Sequence, residues 1–353
     1  MIEINLNNIT AYFTLNNTYI AVGLLTSCMS LCGCALILGT YIGFQSLRAT
    51  GRKILVYITI CNMGACVGHI IGAATIIGYD EKTAFVSFTP CAVSSAFTIC
   101  FRLGSYLWTC ALGLFLCVSM SWKRIQFGKT LMGPFHLVCW SIPIGITIAV
   151  LVSDVVGFDS QPLTNQNRPP WCWIDHQAPD YVTWAFLTGP GWQMGAIVVC
   201  ACAYTVLQWH SMVKKPPLAE DVGESTENLF SLLTSANSRL RQVLVVFILL
   251  QVWGTWSFLV SLHRPSPIWL VLLQEIGNHS QGLANAIIFC VYTGAVRHKL
   301  APKFQACCCC CCRRCPINCK KSTIRIPVEM AALGPQGPEG EGLMVSTAED
   351  EID

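Results

Sequence analysis

The chain has 353 residues, 53% of them hydrophobic and only 12% charged, with a formal net charge of +3. A soluble domain usually carries about 25% charged residues, so water is not the main solvent here. The basic residues gather in short segments between apolar stretches, which is not the distribution of a nucleic-acid site.

Residues 1–18 are polar, and no basic region precedes a short apolar core. A cleavable signal peptide is therefore not expected, and the first apolar stretch reads as an uncleaved signal anchor. Asn8 and Asn16 each open an Asn-x-Ser/Thr sequon in this segment, which makes both candidate glycosylation sites.

Seven apolar stretches follow, near 19–43, 54–78, 88–121, 133–155, 183–209, 241–263 and 268–296. Roughly 20 helical residues cross a hydrocarbon core about 30 Å thick. The expected fold is an all-α membrane protein, a seven-transmembrane helix bundle over residues 19–296. An odd number of crossings puts the chain ends on opposite sides. Eighteen Lys and Arg flank the spans or follow them on one side, against Lys82, Arg168 and Arg264 on the other. The positive-inside rule then places the N-terminus outside and the tail in the cytoplasm. The expected location is the plasma membrane.

Of the 22 cysteines, most between Cys28 and Cys290 fall inside spans, where a thiol behaves as a small apolar group. Cys91 and Cys172 lie at or beyond the outer ends of spans. That face is oxidising, so these two are the expected disulfide. The third inner segment, from about His210 to Leu240, is mixed in charge and bears Ser and Thr.

Residues 297–319 form a Cys-rich juxtamembrane segment, expected to include a short helix. Cys307, Cys308, Cys309, Cys310, Cys311 and Cys312 run consecutively beside Arg313 and Arg314. One reading is S-palmitoylation beside membrane lipid; a metal site and an unmodified tail are the alternatives. Residues 320–353 have little apolar content and are expected to be disordered.

Arg102 lies about 16 Å into span three at 1.5 Å per residue, where a charge must face protein or a water-filled cavity. Glu275 in span seven is its expected partner. Asn278, Gln281 and Asn285 share one face of span seven by their spacing. Arg102, Glu275, Asn278 and Gln281 are the ligand-pocket candidates, with static helix packing as the other reading. His69 and His136 read as packed or interfacial, so neither a metal nor a cofactor is expected. No protease, hydrolase, P-loop or dinucleotide motif is present, and the chain is not expected to be an enzyme.

An ordered set of motifs carries a family resemblance. Trp171-Cys172-Trp173-Ile174 precedes Trp184 and Gly189-Pro190; Trp140-Ser141-Ile142-Pro143 lies in span four; Asn278-His279-Ser280-Gln281-Gly282 lies in span seven. Together they resemble the secretin-type G-protein-coupled receptors. Leu107-Trp108-Thr109 and the Trp-Cys-Trp-Ile loop are also similar to the slime-mould cyclic-AMP receptors. The resemblance implies the Cys91–Cys172 bridge, a packing role for Trp140, and a polar network with a close-approach glycine at Gln281 and Gly282.

Departures from the family include Ser280 where Phe is usual. Only eighteen residues precede span one, so capture of a large peptide hormone is not expected. The implied function is transmission of an unknown extracellular ligand's signal to a heterotrimeric G protein, with Gq and phospholipase C the first subtype to test. Arg48, Lys123, Arg124, Arg239 and Arg241 are the candidate G-protein contacts. The alternative is a channel or transporter whose polar path is lined by spans three and seven.

Overall fold

A computed structural model describes residues 6–44, 50–77, 88–121, 130–158, 172–175, 177–213 and 224–291. Within a bilayer no water satisfies backbone N–H and C=O groups, so apolar runs of this length close their hydrogen bonds as helices. The helices are α1 (Leu6–Gly43), α2 (Thr50–Ile77), α3 (Phe88–Ser121), α4 (Met132–Val152), α5 (Tyr181–Thr188), α6 (Pro190–Val213), α7 (Glu224–Ser261) and α8 (Ile268–Ala286). A π-helical turn, Ile287–Val291, continues α8. Helices α5 and α6 make one crossing, Tyr181–His210, interrupted at Gly189. Pro190 begins the second piece, where its missing N–H removes nothing the helix needs.

Among the described residues, six crossings are long and apolar enough to span a membrane. Helix α8 falls outside that group because Gln274, Glu275, Asn278, His279, Gln281 and Asn285 crowd its 19 residues. That polarity is tolerated because the crowded face turns inward: Glu275, His279, Gln281 and Asn285 are all buried.

Two helices run further than the apolar stretches imply. Helix α1 begins at Leu6, inside the polar leading segment. Helix α7 begins at Glu224, inside the third inner segment. At 1.5 Å per residue its 38 residues reach about 57 Å, well beyond the hydrocarbon thickness. Hydropathy locates the part of a helix that lipid demands, not the turns that continue past it.

Helix α3 is the axis of the bundle and packs on α2, α4, α6 and α7. Helix α8 closes the ring between α1 and α7. In α2 and α3, 61% of the apolar window is buried, against 22% in α4, so α4 stands at the lipid-facing periphery.

Strands β1 (Val156–Phe158) and β2 (Cys172–Ile174) pair antiparallel, with Phe158 opposite Cys172. Cys172 is disulfide-bonded to Cys91 in the first turn of α3. The hairpin is thereby tied over one end of the bundle, the outcome that the two cysteine positions predict.

Candidate functional site

Beneath the hairpin lies a cavity of about 540 Å³ whose walls include Tyr19, His69, Arg102, Trp173, Gln193, Glu275, Asn278 and His279. Four helices deliver its charged chemistry. Glu275 and His279 stand four residues apart on α8, on one face. His69 comes from α2, Arg102 from α3, and Tyr19 from α1.

The Glu275 carboxylate is surrounded by potential donors. Its Oε1 lies 3.3 Å from His69 Nε2 and 3.1 Å from His279 Nε2. Tyr19 donates its hydroxyl to Oε2 at 2.7 Å. The two imidazole rings sit 3.9 Å apart, centroid to centroid. An isolated carboxylate at this depth would carry a large desolvation penalty, and the surrounding donors offset it.

The expected Arg102–Glu275 pair is not formed. The Arg102 guanidinium reaches His279 Nε2 at 3.5 Å, while the described ion pairs of Glu275 are those to the two histidines. Tyr19 and His69 draw the carboxylate toward α1 and α2, away from α3. His69 is buried and packed on the His279 ring, in keeping with its packed reading, and it also lies beside the Glu275 carboxylate. His136 matches its packed reading as well: its ring lies edge-on to Tyr57 and Trp108 and accepts the Trp140 Nε1–H at 3.3 Å. Trp140 packs against Trp108 as well.

Further into the bundle, Ser105 donates to Asn62 Oδ1 at 2.9 Å, and the same hydroxyl lies 3.4 Å from Gln281 Oε1. This ties α2, α3 and α8. Gln193 donates through Nε2 to the Gln251 carbonyl at 2.7 Å and to its Oε1 at 2.9 Å, joining α6 to α7. Tyr106 donates to the same Oε1 at 3.5 Å. Gln281 thus sits in the network, whereas Asn278 is half-buried on the cavity wall. Gly282 is a close-approach position: a Cβ there would lie 3.0 Å from the Ser30 carbonyl and closer still to the Ser30 and Cys34 side chains.

A second cavity of about 610 Å³ opens at the other end, lined by Tyr204, Gln208, Arg239, Arg241, Gln242 and Ile288 among others. Arg241 donates to Gln208 Oε1 at 2.9 Å across α6 and α7, and Arg239 to Gln242 at 3.3 Å. Arg48, Lys123, Arg124 and Cys307 to Cys312 lie outside the described residues. Asn8 and Asn16 fall in α1, with their side chains outside the described set.

Tyr19, His69, Asn62, Ser105, Gln193 and Gln251 were not singled out as site residues by the motifs. Each is a polar group in a largely apolar span, Asn62 and His69 sharing α2 and Ser105 sharing α3 with Arg102. That is a weak sign singly, and it becomes informative only when the helices bring the groups together.

The family model described as 7 transmembrane receptor (Secretin family) matches residues 13–284. The Homo sapiens protein G-protein coupled receptor 157 is 30% identical over 314 residues, covering 87% of this chain and 89% of that protein. Its Mus musculus namesake is 29% identical over 79% of this chain and 84% of its own length. Adhesion G protein-coupled receptor E5 of Mus musculus is 23% identical over 79% of this chain but only 30% of itself.

Proposed function

Because the chain belongs to the secretin family of seven-transmembrane receptors, we propose that it carries an extracellular signal to a heterotrimeric G protein. In this reading the hairpin end faces outward, the chain starts outside and ends in the cytoplasm, and the membrane is the plasma membrane. A ligand enters the hairpin-end cavity and contacts Arg102 and Asn278. Glu275 and Gln281 respond through the networks that bind α8 to α1, α2 and α3. Arg239 and Arg241, with Arg48, Lys123 and Arg124, face the G protein. A ligand shifts the bundle only by its differential affinity for two helix arrangements.

The observation that carries this reading is the pairing of a charged cavity at one end with a second, cation-bearing cavity at the other. Between them Ile58, Leu112, Leu116 and Leu244 are buried in one cluster. That apolar layer favours a receptor over the alternative of a solute path lined by α3 and α8. Gq with phospholipase C and calcium release is the coupling to test first, on family resemblance.

The test is nucleotide exchange by a panel of Gα subunits with the purified protein in lipid. Exchange on at least one subunit, several-fold above lipid alone, supports the proposal. Solute flux in reconstituted vesicles without any exchange sinks it.

A further inference from the structure

We propose that His69, Glu275 and His279 form a binding site for a divalent metal ion of the zinc class at the floor of the hairpin-end cavity. Two imidazoles and one carboxylate are a ligand set that suits zinc and its first-row neighbours. With metal–ligand bonds of about 2.0–2.1 Å, neighbouring corners of a tetrahedron stand about 3.3 Å apart. Glu275 Oε1 lies 3.3 Å from His69 Nε2 and 3.1 Å from His279 Nε2. All three donor atoms fall within 4.8 Å of one another.

Four further features support a metal over a plain hydrogen-bonded cluster. First, Glu275 Oε1 accepts no well-aligned hydrogen bond among the described residues, although two imidazole nitrogens lie beside it. Second, Tyr19 holds the other carboxylate oxygen at 2.7 Å, the outer-shell bond that fixes a ligating carboxylate. Third, Gly23 leaves room: a Cβ there would stand 2.5 Å from Glu275 Oε1 and 2.6 Å from His69 Nε2. Fourth, His69, Glu275 and His279 are 1%, 3% and 2% exposed, yet all three border the cavity. The protein supplies three ligands and the cavity the fourth.

The charge balance specifies that fourth ligand. One carboxylate leaves a dication with excess positive charge, and Arg102 adds another 3.5 Å from His279 Nε2. The open position therefore favours an anion, such as hydroxide, chloride or a carboxylate group, with the guanidinium turned toward it. Bound metal would clip α2 to α8, the helices that carry the ligands.

The test uses the full-length protein in lipid nanodiscs with the tail cysteines from Cys307 to Cys319 changed to Ser, so that no tail thiol competes for zinc. One equivalent of Zn²⁺ is added and the X-ray absorption fine structure recorded. The expected first shell is nitrogen and oxygen at about 2.0–2.1 Å with imidazole outer scattering, and no sulphur at about 2.3 Å. His69→Cys keeps a ligand and should add one sulphur to that shell. Tyr19→Phe should weaken binding about tenfold and His279→Ala at least that much.

Failure to retain zinc, a sulphur-only shell, or a His69→Cys spectrum identical to wild type would each overturn the proposal. The wild-type spectrum decides even if a histidine variant does not fold. None of these readouts depends on G-protein exchange.

Discussion

Beneath the hairpin, α1, α2, α3 and α8 enclose one carboxylate, two imidazoles and a guanidinium beside a cavity. Toward the other end the same helices, with α6 and α7, close around Ile54, Ile58, Leu112, Leu116, Leu207, Val243 and Leu244. The two regions share a backbone design and differ in what holds them. Hydrocarbon packing is non-directional and close, so each removed methylene leaves a void. A polar cluster is directional, and its groups can exchange partners. A bundle that is fixed at one end by packing and held at the other by exchangeable polar contacts can change shape when a ligand takes over one of those contacts.

The largest expected effect tests the tether over the polar half. Cys172→Ser opens a loop whose bridged residues are 81 apart, a closure entropy of about 4–5 kcal/mol in the chain-entropy model. Surface display of an N-terminal tag, read by flow cytometry, should fall several-fold. Wild-type display would mean the hairpin needs no covalent tie.

The packed half should respond next. Leu112→Ala, at a fully buried site, should lower stability by about 2–5 kcal/mol, seen as a drop in unfolding temperature in detergent. In the polar network, Gln251→Leu removes the side-chain acceptor shared by Gln193 and Tyr106 while leaving Gln193 its main-chain partner, and should lower stability by about 1–2 kcal/mol, with altered basal signalling.

Gln281→Leu should cost only about 0.6 kcal/mol, the average for hydrogen bonds between membrane helices, while changing the ligand response. A stability loss as large as that of Leu112→Ala would erase the proposed distinction between the halves. The smallest stability effect is expected for Arg241→Gln, under about 0.5 kcal/mol, since its Gln208 contact is at the rim. Nucleotide exchange should nevertheless fall, because a rim charge acts mainly on encounter and specificity. Unchanged exchange would remove Arg241 from the coupling surface.

Much of this molecule is legible one residue at a time. The crossings follow from stretches of apolar side chains that lipid requires to be helical. The Cys91–Cys172 bridge follows from two thiols left at the same end of the spans, and the break before Pro190 from a missing N–H. The site is less legible. Arg102 and Glu275 stand out as charges in spans, and their simplest pairing is with each other. That pairing is not the one formed, because distance along each helix fixes depth but not the azimuth of the neighbouring helix.

Sequence by itself determined how many times the chain crosses, which cysteines meet, and that α8 turns a polar face inward, since each is dictated by the local match between side chain and solvent. Only the tertiary structure decided that Glu275 belongs to Tyr19, His69 and His279, that Arg102 turns to His279, and that Gly23 leaves space beside them. Those partners come from four helices far apart in the chain, and close packing, which no local pattern encodes, selects which of them touch.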